Sequence, residues 1–308
     1  MIIEQSTFHP DTGWREISGS AGGPLASFVL AFGGRERLED PAVFAALRAR
    51  HPGAHLLIAS TAGEILGTEI GEDGLAVTAV TLERSRVAAA SVPLRFPADS
   101  YAAGLELARR LDGPDIAHVF VVSDGGLTYG TDLARGLAAG LAAQGPVSGG
   151  LAGDGARFQR TLVGLDGPPQ PGLAGALAFY GENFRSACGS AGGWAAFGPE
   201  RVITRADGNR LQELDGLSAL GLYKQYLGDQ AAGLPGSALR FPLSLRSTDG
   251  GPPVVRTILS VDEAHDAMIF AGDMPAGARV RFMHASYEDL LDGAEAAAGQ
   301  IADRPAYP

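Results

Sequence analysis

A chain of 308 residues with 45% hydrophobic side chains, 7% aromatics and 44 glycines can bury a large core of aliphatic side chains and close-packed backbone. Its formal net charge of -11 argues against binding nucleic-acid phosphates or anionic lipid, since both need clustered Lys and Arg. The single cysteine, Cys188, excludes an intrachain disulfide and a cysteine-rich zinc site and fits a reducing compartment.

Met1-Ile2-Ile3-Glu4 lacks a basic-then-apolar leader, and no apolar run is long enough to span a bilayer, so a cytoplasmic protein is expected. Residues 1–26 carry scattered polar side chains with Gly19, Gly22, Gly23 and Pro24 and read as an arm or edge element. Ser27 to Phe32 is a strand ended by Gly33-Gly34. Asp40-Pro41 then caps a helix carrying Phe44 and Leu47, which Pro52-Gly53 stops. His55 to Ala59 reads as a buried strand running into Ser60-Thr61-Ala62-Gly63-Glu64-Ile65. Hairpin-like strands follow at 65–70, 75–82 and 87–94, the first two joined by Gly71-Glu72-Asp73-Gly74. From Asp99-Ser100 a helix sets Tyr101, Leu105, Ala108 and Leu111 on one face and closes at Gly113-Pro114. The outline repeats: Ile116 to Val122 is a strand ending in Ser123-Asp124-Gly125-Gly126, and a helix from about Gly130 shows Leu133, Leu137 and Leu141.

Next comes Gly145-Pro146-Val147-Ser148-Gly149-Gly150-Leu151-Ala152-Gly153-Asp154-Gly155, continuing through Phe158 to Thr161. Glycines here let the backbone turn through positive φ and approach another surface, while Asp154 adds a charge that a purely structural turn does not need. Three apolar runs thus finish in small polar residues, at 58–63, 121–126 and 147–150. Strands sharing a direction in a layered α/β sheet bring such ends to one rim, where ligands sit. The candidate ligand-binding residues are therefore Ser60, Thr61, Gly63, Glu64, Ser123, Asp124, Ser148, Gly149, Gly150, Gly153, Asp154 and Phe158. Glu64 and Asp154 would meet a ligand ammonium or hydroxyl, the alternative for each being a turn cap or ion pair. Asp124 suits capping the turn before its helix.

Beyond Thr161, strands are expected at 162–165, 173–180 and 184–194, with Gly189, Gly192 and Gly193 marking a bend or close approach. Arg201 to Thr204 and Arg210 to Leu214 form two more around Asp207-Gly208. Ser218 caps a helix that turns Leu220, Tyr223, Tyr226 and Leu227 to a core, and residues 228–236 form a loop. Strands near 239–245, 254–261, 268–271 and 278–283 precede a last helix from Ser286, with Asp289 at its positive end and an apolar stripe of Leu290, Leu291, Ala294, Ala297 and Ala298. The predicted fold class is mixed α/β: a two-lobed layered sandwich of mixed β-sheets with flanking helices. It divides into an arm at 1–26 and lobes at 27–216 and 217–308.

Familiar catalytic motifs are missing. No GxxxxGK[ST] exists, Gly150, Gly153 and Gly155 are misspaced for a dinucleotide loop, no G-x-S-x-G elbow surrounds a serine, and HExxH is absent, with Glu263 to Asp266 placed in a turn. His9, His51, His55, His118, His265 and His284 read as surface or helix-end residues, and no metal site is expected. Cys188 reads as a small buried hydrophobe.

Three stretches carry a family resemblance: 60–65; 149–155 with Phe158 and Thr161; and 201–216. Together with 219–227, Phe241-Pro242-Leu243, Val255-Arg256-Thr257-Ile258 and 272–277, in that order, they resemble the FIST family over roughly 27–298. The resemblance implies an intracellular sensory module of bacterial type, also found in archaea and some eukaryotes. Such modules are joined to or encoded beside histidine kinases, chemotaxis proteins or cyclic-dinucleotide proteins. It implies a cytoplasmic small-ligand-binding sensor, not an enzyme, that recognises an amino acid or similar metabolite and carries no cofactor. Two alternatives are a haem-binding nitric oxide sensor of the same family and an enzyme using Glu64 and Asp154 as an acid/base pair. Two departures stand out. Ser190-Ala191-Gly192-Gly193-Trp194 lacks the histidine of the family's Ser-His-Gly-Trp-like segment, which weakens the haem reading, and the family's usual C-terminal continuation is not found, so the second lobe is expected to be incomplete, either naturally short or truncated.

Overall fold

The computed structural model describes residues 1–19, 25–72, 74–141, 146–246, 248, 250–251 and 253–302. Gly22, Gly23 and Pro24 of the expected arm, Asp73 of the expected turn and Gly145 lie outside them. The chain forms two compact units, Met1–Ser186 and Ala187–Pro308, and residue 216 falls in the turn after a strand of the second.

In the first unit, β1 (Ile2–His9) and β2 (Gly13–Ser18) make an antiparallel hairpin. Trp14 on β2 packs at 5.1 Å from Phe8 and edge-on to His51 at 6.4 Å, with the Arg50 guanidinium 4.5 Å above its ring. β3 (Phe28–Gly33) leads through α1 (Arg35–Glu39) and α2 (Pro41–Arg50) to its parallel neighbour β4 (His55–Ser60). Asp40 starts α2 by accepting the Ala42 N–H at 2.8 Å, with Pro41 in the first turn, where no amide hydrogen is needed. β5 (Glu64–Leu66) and β6 (Glu69–Gly71) form a separate small hairpin, and β7 (Leu75–Thr81) returns beside β3. There follow β8 (Arg86–Pro93), α3 (Ser100–Leu111), β9 (Ile116–Ser123), α4 (Gly130–Gly140), β10 (Val147–Leu151), β11 (Val163–Leu165) and β12 (Leu173–Tyr180).

Two mixed sheets result, ordered β11-β4-β3-β7-β1-β2 and β10-β9-β12-β8. Their facing sides share one apolar cluster that includes Phe28, Leu57, Val122, Leu177 and Phe179. Val43 and Leu47 of α2 cover the first sheet through Leu56, Ile58 and Val77, while α3 and α4 cover the second through Leu107, Leu111, Leu137, Val119 and Val121. Period-2 alternation explains why β4 is apolar from Leu56 to Ala59: Leu56 and Ile58 face the helix, Leu57 and Ala59 face the other sheet. Each of these leucine and isoleucine side chains contributes about 1.5–3 kcal/mol on burial.

Two expectations change here. β7 and β8 are not a hairpin but belong to different sheets, because the charged turn Glu83-Arg84 carries the chain from one layer to the other. On α3 the buried face is Ala103, Gly104, Leu107, Ala108 and Leu111, leaving Tyr101 45% exposed. Small residues decide it: a Cβ at Gly104 would sit 2.3 Å from the Leu133 carbonyl oxygen, so α3 and α4 meet backbone to backbone.

The second unit is a curled half-barrel sheet. Its strands are β13 (Ala195–Asp207), β14 (Arg210–Leu214), β15 (Leu217–Ser218), β16 (Leu243–Arg246), β17 (Val254–Arg256), β18 (Ile258–Asp262), β19 (Ala267–Phe270) and β20 (Arg279–His284). They run in the order β17-β16-β20-β13-β14-β19-β18, with β15 beside β14. Ser218 accepts the Gly221 N–H at 2.8 Å to cap α5 (Ala219–Leu227), whose Leu220, Tyr223 and Leu227 join Leu211, Leu243, Phe270 and Phe282 in the core. The expected strand at 254–261 splits after Arg256, its halves pairing at opposite ends of the sheet, and Leu239 and Arg240 belong to a 3-10 turn rather than to β16.

Residues 184–194 form no strand. From Ala187 the chain runs irregularly, and its glycines lie against α6 (Tyr287–Ala302): a Cβ at Gly193 would stand 1.7 Å from the Asp289 carbonyl oxygen. Ser286 and Asp289 cap α6 reciprocally, the hydroxyl accepting the Asp289 N–H and the carboxylate the Ser286 N–H. The expected stripe does not bury. Gly293 is the buried position, while Leu291 stays 64% exposed, because a close backbone approach selects the small residue over the large ones. Cys188, expected to be buried, is exposed.

Candidate ligand site at the strand ends

β4, β9 and β10 end side by side in the first unit. After β4, Ser60 donates its hydroxyl to the Gly153 carbonyl at 2.7 Å and accepts the Leu162 N–H at 2.9 Å, while the Gly153 N–H donates to the Ser60 carbonyl at 2.8 Å. After β9, the Ser123 carbonyl accepts the Ala152 N–H at 2.8 Å, and the Gly125 N–H donates to Thr161 Oγ1 at 2.8 Å. A Cβ on Gly125 would stand 2.2 Å from the Ala152 carbonyl oxygen, so this crossing admits only glycine. Of the candidate residues, Ser60, Thr61, Gly63, Glu64, Ser123, Asp124, Gly153, Asp154 and Phe158 belong to these ends and the segments following them. Ser148, Gly149 and Gly150 lie further back along β10, paired with Phe120, Val121 and Val122.

Each carboxylate holds its own loop. Asp124 Oδ1 accepts the Gly126 and Leu127 N–H groups, both at 2.8 Å, and Oδ2 accepts that of Gly172 at 3.0 Å, so it caps the turn. Glu64 is buried and accepts the Thr61 hydroxyl and the Gly74 N–H. Asp154 accepts Arg157 Nε at 2.9 Å and the Gln159 and Arg160 N–H groups at 3.0 and 3.1 Å, with Arg35 Nε 3.3 Å away. Burial alone would raise the Asp154 carboxyl, but Arg157, those two amides and the charge of Arg35 outweigh it and hold it below the ordinary range. Phe158 takes a left-handed φ of 51°, letting its loop fold back to present the 159 and 160 amides.

The sequence reading missed Arg35, Glu39, Arg157 and Arg160. Arg160 pairs with Glu39, and Arg35 is largely buried beside Asp154, its Nε lacking a hydrogen bond. β3 runs parallel to β4, so the residues after Gly33-Gly34 had to arrive at the same rim; tracing that one pairing would have found Arg35. Also missed was His118, buried in the middle of β9 rather than at a surface or helix end. Among the described residues, no group of three or more His, Cys, Asp and Glu is arranged to hold a metal ion.

The first unit is thus a mixed α/β sandwich with loops hydrogen-bonded to one another over the ends of β4, β9 and β10. The FIST N domain family matches residues 27–217 and the FIST C domain family residues 219–307, so the chain belongs to the FIST family of signal-transduction sensory domains. No match was found among curated proteins. No described helix is long and apolar enough to cross a membrane.

Proposed function

We propose that the first unit binds a small metabolite, such as an amino acid, at the rim formed by Ser60–Glu64, Ser123–Asp124 and Gly153–Phe158. Binding would be reported to a cytoplasmic signalling partner such as a histidine kinase, chemotaxis or cyclic-dinucleotide protein. The observation that carries this reading is the rim itself: three strand ends hydrogen-bonded into one preorganised surface, with the buried charges Glu64 and Asp154 fixing its loops. A ligand acts by favouring one arrangement of these loops over another, through differential affinity for the two. The absence of a histidine from Ser190–Trp194 weighs against the alternative haem-binding reading.

Melting curves against a panel of amino acids and related metabolites test the proposal. At about 100 times its dissociation constant a true ligand stabilises the native state by about 2.7 kcal/mol. Glu64→Gln and Asp154→Asn should each weaken that response. If no compound shifts the curve, or if both folded variants bind as tightly as the parent, the rim is not the site.

A further inference from the structure

Away from the rim, His118 makes two hydrogen bonds that the sensory reading does not use. Its Nε2 lies 2.7 Å from Ser148 Oγ on β10, and its Nδ1 lies 2.9 Å from Ser186 Oγ. The imidazole is 5% exposed and sits beside Phe179, with ring centroids 6.3 Å apart. Burial lowers its pKa below the ordinary 6.5, keeping the ring neutral and able to accept a proton at neutral pH. With the proton on Nδ1 donated to Ser186, Nε2 is left to accept from Ser148. A hydroxyl, a neutral imidazole and a second group orienting that imidazole are the parts of an activated nucleophile.

Room for a reactant lies alongside. Ser148 and Gly150 share a face of β10, and among the described residues no atom beyond its chain neighbours comes within 4 Å of where a Gly150 Cβ would stand. Between them Gly149 holds the strand against β9, since its Cβ would lie 1.8 Å from the Val121 carbonyl oxygen. β10 is an edge strand, so one side of this position meets no further strand among the described residues.

We propose that Ser148 is an acyl-accepting nucleophile with His118 as its general base and Ser186 as a positioning residue, acting on small esters. Ser148 Oγ bonds to the ester carbonyl carbon while its proton passes to Nε2. The bond to the leaving alkoxide then breaks, the alkoxide keeping the electron pair and taking that proton to depart as the alcohol. Water, deprotonated by Nε2, attacks the acyl-serine and releases the carboxylic acid, returning the proton to Ser148.

A fluorophosphonate probe applied to the full chain, followed by peptide mass spectrometry, tests this. The adduct should form on Ser148, disappear in Ser148→Ala, and form about 100-fold more slowly in His118→Gln. In the unaltered protein the labelling rate should rise with pH through one ionisation below 6.5, and Ser186→Ala should move that ionisation. The wild-type pH profile keeps the test decisive if His118→Gln fails to fold. No adduct on Ser148, undiminished labelling in a folded His118→Gln variant, or a flat pH profile would each overturn the proposal.

Discussion

Asp154 accepts three hydrogen bonds from its own loop and faces Arg35 from the segment after β3, so its removal is felt first as lost stability. Replacing it with Ala removes the acceptor of the Arg157 guanidinium and of two amides, and the nearer carboxylate of the largely buried Arg35, and is expected to cost about 1–3 kcal/mol in urea unfolding. Asn keeps the shape but not the charge and should cost less. Protonation makes a second residue-scale prediction. His51 and His118 both have pKa values lowered by burial, so below about 6.5 the unfolded chain takes up protons that the native state resists. Native stability should therefore be full above that pH and fall as the pH drops through 6 toward 5. Measured as the denaturation midpoint against pH, this decline should shrink in His51→Gln, which cannot charge.

Among the elements, glycine positions separate two effects that helix propensity alone would merge. Gly299 and Gly293 both lie within α6, where Ala ordinarily gains about 1 kcal/mol over Gly. At Gly299 the added Cβ would meet no atom of the described residues within 4 Å beyond the local helix backbone, so Gly299→Ala should stabilise; at Gly293 the Cβ would stand 2.6 Å from the Gly193 nitrogen, so Gly293→Ala should destabilise. Comparative thermal melts of the two variants read the signs directly. The same contrast explains what the sequence made legible. Strands dominated by apolar residues, such as β4, β9 and β12, and helices opened by Asp40-Pro41, Ser218 or Ser286 were readable because the signal is local. The inward faces of α3 and α6 were not, because there the packing side is marked by Gly104 and Gly293, and a residue without a side chain carries no hydrophobic signature. The rim was half legible: its strand ends were visible as small polar residues, but Arg35 needed the pairing of β3 with β4, which no local pattern encodes.

At the scale of the molecule, every named strand pairs within its own compact unit, and each unit has its own apolar core. A fragment ending at Ser186 is accordingly expected to unfold cooperatively, as followed by far-ultraviolet circular dichroism; a gradual, featureless transition would show that the first unit depends on the second. The two tryptophans add a means of watching this. Trp14 sits in the first unit against Phe8, Arg50 and His51, and Trp194 in the second, its Nε1 3.4 Å from the Leu239 carbonyl oxygen. Each half of the chain thus carries one tryptophan. Trp14→Phe and Trp194→Phe would give a pair of single-colour proteins in which melting, or the arrival of a ligand, can be assigned to one half without attaching any dye. Because His51 meets the edge of the Trp14 ring, the emission of the first unit should also report that histidine's protonation.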